Sequence, residues 1–338
     1  TRVTAWSEAD GRPTAFVNES EFRPFIASYV RSRTRLAASK FVDLGYYAPT
    51  AYGLSLSSNP ERDRGAVRDD WPTGVLVGNE FRGLFYGFYS YEARDVAIVD
   101  NRYVDCIRYG IDPHDRSTRL VIARNTATGT RERHGIIGSR GVSHSLIVEN
   151  VSHDNAGSGI MLDRQCSHNV IRGNKVYCNG QGIAIYESPH NVIEDNLVAF
   201  NAKSAIRVRN STDVLVLDNV LVGNGDYAIE LSARQLDDHA KRAAHGDLYE
   251  PVVEVAVHGL GVAGNRGLVK AVQLGSLRLS GVRPLADATS VAAELGIDAP
   301  PLDDAKNLAV GSDLKQYARE VLRALDVDRP LVEIRARQ

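Results

Sequence analysis

Between residues 86 and 229 one short motif returns seven times: Tyr86-Gly87-Phe88, Tyr109-Gly110-Ile111, His134-Gly135-Ile136, Ser158-Gly159-Ile160, Gln181-Gly182-Ile183, Ser204-Ala205-Ile206 and Tyr227-Ala228-Ile229. Its central small residues lie 23, 25, 24, 23, 23 and 23 positions apart. Within each repeat a second apolar alternation follows and closes on asparagine, at Asn101, Asn125, Asn150, Asn174, Asn196 and Asn219. Two series holding one period over six repeats mark a stacked repeat architecture. From Phe81 to Glu230 the chain offers short alternating runs broken by Gly, Ser, Asn and Asp, with no ten-residue helical period. The leucine pattern of a leucine-rich repeat is absent. The fold class predicted is therefore all-β, a right-handed parallel β-helix in which each repeat is one coil and equivalent residues stack about 4.8 Å apart. The asparagines then form a ladder inside a turn, bonding from coil to coil.

Working outward, the β-helix is expected over residues 36–282, with residues 1–35 an irregular segment or partial coil and residues 283–338 a C-terminal cap. In that cap Leu314, Tyr317, Ala318, Val321, Leu322 and Leu325 fall at three-and-four spacing behind an N-cap at Ser312, which predicts one amphipathic helix covering an open end of the solenoid. Two polar insertions, 57–73 and 234–251, both leave their coils four to six residues past the small residue. They should emerge from the same turn, where they can wall a groove.

Of the 338 residues 43% are apolar and 24% charged, with a net charge of −2, which excludes a disordered or fibrous chain and argues against a nucleic-acid binder. No run approaches the eighteen or so apolar residues of a membrane span, and no basic-then-apolar leader opens the segment. A soluble protein without membrane insertion is expected, any export signal having been removed or lying outside the segment. Only 7 of the 40 basic residues are lysine, and arginine's planar fork suits carboxylates. Cys106 and Cys178 share a column three coils apart, about 14 Å, too far for a disulfide. No phosphate loop, dinucleotide fingerprint, zinc-protease motif or calcium nonapeptide appears, so no metal and no cofactor is assigned. His144, His168 and His190 each stand two residues before an apolar pair and read as a repeat stack.

Stacking turns sequence offsets into columns. Two residues past the small residue come Tyr89, Asp112, Ile137, Met161, Ala184, Arg207 and Glu230; four past it, Tyr91, His114, Ser139, Asp163, Tyr186, Arg209 and Ser232; five past it, Glu92, Asp115, Arg140, Arg164, Glu187 and Asn210. A row of Tyr, Arg, Asp and His at about 4.8 Å pitch suits an extended acidic polysaccharide. Tyr91, Asp115, Asp163, Arg164, Tyr186, Glu187, Arg207 and Arg209 are the substrate-binding candidates. The sharpest point is Asp112-Pro113-His114-Asp115, where Pro113 should end regular pairing and two carboxylates flank one imidazole. On a polyuronate, removing the weakly acidic C5 proton needs the neighbouring carboxylate neutralised and a base close by. Arg140, one coil from His114, can supply the first and His114 the second. Reprotonation from the opposite face inverts C5, whereas expelling the 4-linked oxygen cleaves the chain. A polyuronate lyase and a non-catalytic polysaccharide-binding scaffold therefore stand as alternatives; a glycoside hydrolase would need a carboxyl pair such as Asp112 and Asp163.

The Asp112-Pro113-His114-Asp115 motif on a solenoid coil, with Arg140 on the next, closely resembles the periplasmic mannuronan C5-epimerases of alginate-producing pseudomonads, over roughly Ser32 to Gln338. The resemblance implies conversion of β-D-mannuronate to α-L-guluronate within the alginate chain, with His114 as base, Arg140 neutralising the carboxylate and Asp112 supporting the site. It implies a water as the opposite-face acid; the column argument alone offers Tyr186. Calcium independence, a signal peptide, a periplasmic location and partners in the alginate export complex are further implications. The absence of that signal here leads to the expectation that more coils or a cap precede Thr1.

Overall fold

The computed structural model describes residues 1–13, 17–58, 71–273, 275–285 and 288–296. Each coil contributes three short strands, as in Tyr109–His114, Val121–Ala123 and Thr126–Thr128. Stacked in parallel, these build sheets of 10, 10 and 11 strands, here termed the groove, second and third sheets. The repeat pattern anticipates only two strands per coil; the third, directly after the asparagine, is a strand of three residues in most coils. Coil structure also starts before residue 36: Arg2–Thr4 pairs with Lys40–Val42, Ile26–Tyr29 with Gly53–Ser57 and Arg33–Ala37 with Thr73–Val77.

One apolar core fills the solenoid from Ala5 to Leu260, with Phe88, Ile111, Ile136, Ile160, Ile183, Ile206 and Ile229 stacked under the groove sheet. The small column beside them has a steric cause. A Cβ on Gly110 would stand 2.5 Å from the carbonyl oxygen of Gly135 on the next coil, so a larger residue there would run into the neighbouring backbone.

The asparagine ladder runs from Asn79 through Asn101, Asn125, Asn150, Asn174 and Asn196 to Asn219, each Nδ2 donating to the next Oδ1 at 2.9–3.1 Å. It lines the turn between second and third sheets. A second ladder, absent from the sequence reading, climbs the turn back to the groove sheet through Asn155, Asn179, Asn201, Asn224 and Asn265. Asn150→Ala should be severely destabilising: it removes the acceptor of the Asn125 amide and side chain and the donor to Ile122 O. With several buried groups orphaned at about 1–3 kcal/mol each, we expect a loss of about 3–5 kcal/mol in urea unfolding. A loss below about 1 kcal/mol would show that the ladder follows the fold rather than supporting it.

His144, His168 and His190 do stack, with ring centroids 5.0 and 5.1 Å apart. The cysteines are free. The helix expected over 314–325 lies outside the described residues. A different one, Ala288–Leu295, lies along the solenoid's side, where Ala288, Val291 and Leu295 pack with Tyr177, Ala199, Val222 and Ala263 of the third-sheet wall. Among the described residues no helix is long and apolar enough to cross a membrane.

Candidate active site

The groove sheet aligns the expected columns. Tyr91 pairs with His114, His114 with Ser139, Ser139 with Asp163, Asp163 with Tyr186, Tyr186 with Arg209 and Arg209 with Ser232. Where the strand ends, Glu92, Asp115, Arg140, Arg164, Glu187 and Asn210 all adopt positive φ, between 38° and 60°. Six successive coils thus turn left-handed at one position, an uncommon conformation for residues with a Cβ. Pro113 interrupts rather than ends the pairing. Tyr109–His114 pairs with the next coil at Ile111 and again at His114, with a gap at Asp112 and Pro113, since proline has no N–H to give.

Asp112 occupies that gap. Its side chain is buried, 1% exposed, and neither carboxylate oxygen has a hydrogen-bond partner among the described residues. Burial pushes its pKa up to about 7, opposed by the charge of His114. Four tyrosines, a group the sequence reading did not assemble, surround it: Tyr52 stacks on Tyr86 at 4.5 Å, Tyr89 meets Tyr52 edge-on at 4.8 Å, and Tyr86 meets Tyr109 at 4.8 Å. Burial raises all four phenols, and the charge of Asp112 reinforces it. Tyr89 also lies 5.7 Å from the His114 ring. Three of them, Tyr52, Tyr86 and Tyr109, precede the small residue on successive coils, and Tyr89 joins them from a second column.

His114 is hydrogen-bonded through Nδ1 to the Asp115 carboxylate. Burial acts to lower its pKa, but the bond to Asp115 and the charges of Asp112 and Asp115 outweigh that, and the imidazole lies above its ordinary value. Nδ1 being occupied, Nε2 is the nitrogen left for an incoming group. Arg140 sits on the adjacent coil, one-third exposed, 3.6 Å from Asp247 and with its Nε unbonded among the described residues.

The remaining candidates divide. Arg164 is near Asp163 at 3.3 Å and Asp247 at 3.7 Å. Tyr186 lies beneath Arg209, at 4.0 Å, and Arg207, at 5.6 Å, and Arg207 pairs with Glu230 at 3.6 Å. Three rungs, about 14 Å, separate Tyr186 from His114, which removes Tyr186 as a second proton donor to the same carbon. Tyr91 carries Arg116, which bonds Glu92. Glu187, expected on the ligand face, is instead buried and held by Arg209 at 2.7 and 2.9 Å, Arg242 at 3.1 Å and Asn210 at 3.2 Å. The floor between Asp112 and Arg207 is apolar, formed by Ile137, Met161 and Ala184.

Residues 86–236 match the model of the right-handed beta helix region. The chain is 42% identical over 240 residues to the mannuronan C5-epimerase of Pseudomonas putida, and 39% identical over 266 residues to that of Pseudomonas aeruginosa, covering 70% and 78% of this chain and 46% and 49% of those proteins. It spans about half the length of the curated relatives it matches. Among solved structures, a substituted form of the periplasmic alginate epimerase superposes with a TM-score of 0.77 at 37% identity, covering 82% of this chain and 67% of that one. The chain belongs to the mannuronan C5-epimerase family. The unsubstituted periplasmic alginate epimerase superposes equally well, with a TM-score of 0.78 at 36% identity over 83% of this chain and 66% of that one. As a mannuronan C5-epimerase family member it shares with them an all-β parallel solenoid, and the His114–Asp115 pair and Arg140 stand on adjacent coils of its groove sheet.

Proposed function

We propose that this chain epimerises β-D-mannuronate to α-L-guluronate within an alginate polymer. The observation that carries the reading is the pairing of an Asp115-oriented imidazole at His114 with the Arg140 guanidinium one coil away, on one face of an extended groove. His114 Nε2 takes the C5 proton. Arg140 offsets the charge that moves onto the substrate carboxylate as the C5–H bond breaks. Solvent returns a proton to the opposite face, inverting C5, and His114 gives its proton up to solvent. Asp115 fixes the tautomer and ring plane, and Asp112 with its tyrosines supports the imidazole from below. Tyr186, Arg164, Arg207, Arg209, Asp163 and Tyr91 line the path of neighbouring sugars. The polymer is met in the periplasm, beside the proteins that export it.

Proton NMR of polymannuronate incubated with the protein in deuterated water and a chelator tests this. Guluronate signals carrying deuterium at C5, without unsaturated ends, are expected. Unsaturated ends would make the protein a lyase, and an unchanged polymer would leave a binding scaffold.

A further inference from the structure

The insertion at 234–251 begins beside Ser232, four rungs from Ser139, a distance of about 19 Å. It does not run outward. Asn210 clamps its root, donating to Arg234 O and accepting from Arg234 N, both at 2.8 Å. The short helix His239–Ala244 then lays Arg242, 9% exposed, onto buried Glu187. Further back, Gln165 Nε2 donates to Leu248 O at 2.8 Å, and Asp247 N donates to Arg242 O at 2.9 Å. Anchors on three different coils thus deliver one side chain, Asp247, to the coils next to His114.

The Asp247 carboxylate, 10% exposed, stands 3.6 Å from Arg140 Nη2 and 3.7 Å from Arg164 Nη1. Charge-assisted hydrogen bonds of this type close to about 2.7–2.9 Å, so these are loose ion pairs. Arg140 keeps a buried Nε with no hydrogen-bond partner among the described residues, whereas Arg164 Nε stands 3.3 Å from Asp163 in an ion pair without hydrogen-bond geometry. Two arginines one rung apart repel each other; Asp163 offsets the charge of Arg164 alone, whereas Asp247 stands near both and relieves their repulsion without using their directional donors.

We infer that Asp247 is a built-in counter-carboxylate, displaced from Arg140 and Arg164 when a substrate carboxylate enters, and that it sets the groove's affinity for the polyanion. The inference rests on Arg140 receiving a substrate carboxylate, as proposed above. A uronate can offer the bidentate contact that Asp247 does not make, and two carboxylates cannot share the pair without like-charge repulsion. Asp247 thus weakens binding of the polymer, and makes its release easier, in exchange for a stable groove when empty.

The test measures binding of an oligomannuronate by calorimetry to the wild type, Asp247→Asn, Asp247→Ser and Arg140→Ala, with folding checked by circular dichroism. Tighter binding by about three- to tenfold is expected for each folded Asp247 variant, with a matching fall in KM. Unchanged or weaker binding in those variants, while Arg140→Ala binds more weakly than wild type, overturns this inference alone. Unchanged binding in Arg140→Ala overturns the reading of the groove and this inference with it. Should neither Asp247 variant fold, hydrogen exchange of the wild type decides: the oligomer is expected to lower protection across residues 245–249, and unchanged or increased protection overturns displacement.

Discussion

Replacing His114 with alanine is expected to lower kcat on polymannuronate by about 10³-fold or more, with the solenoid intact. The imidazole faces the groove and its side-chain hydrogen bond goes to Asp115, so its loss leaves the core untouched. Arg140→Ala should cost about 10²–10³-fold, the range for a donor that stabilises charge only as the bond breaks. Arg140→Lys should recover little, because a point charge does not reproduce the fork. The pH profile separates orientation from mere presence. The base must be unprotonated, and its pKa is raised, so kcat/KM should fall as pH drops through a value above the ordinary imidazole figure of about 6.5. Asp115→Asn removes a hydrogen bond and a charge that both favour the protonated ring, so the acid limb should move to lower pH while the plateau falls. A wild-type rate from folded His114→Ala, or an acid limb that stays in place in Asp115→Asn, would remove His114 from the role of base.

How far these residues were legible in advance follows from what a repeat transmits. A period of about 23 residues fixes which side chains share a column, so His114, Ser139, Asp163, Tyr186 and Arg209 fall in line as their offsets require. Column membership says nothing about where a long side chain ends. Glu187 occupies an expected ligand-face column yet turns into a buried cluster, because Arg242, brought by an insertion with no place in the repeat, claims its second oxygen. Asp247 arrives by the same insertion, and no offset could have put it four rungs from its point of departure. The tyrosine cluster was hidden for the opposite reason. Tyr52, Tyr86, Tyr89 and Tyr109 sit at two offsets on three coils, and only the cross-section of the groove brings their rings together.

The Asp112 carboxyl is where this fold gives up stability, and Asp112→Asn should recover it above neutral pH while activity is lost. Both oxygens are buried without hydrogen-bond partners among the described residues, and burial raises the pKa to about 7 from an unfolded value of about 3.8. The sign follows from the protonated form being the one the native state favours. Its contribution is fully present below the unfolded pKa, shrinks as pH rises between the two values, and is gone above the folded one. A difference near three units corresponds to roughly 4 kcal/mol borne by the native state at pH 8. Asparagine keeps the shape and removes the charge, so thermal unfolding at pH 8 should shift upward by several degrees, whereas at pH 4 variant and wild type should nearly coincide. The same substitution withdraws a charge that raises the His114 pKa, so any residual activity should show its acid limb at lower pH. An Asp112→Asn protein less stable than wild type at pH 8 would mean that the carboxylate is held by favourable contacts, and that the tyrosines around it serve the fold rather than the imidazole.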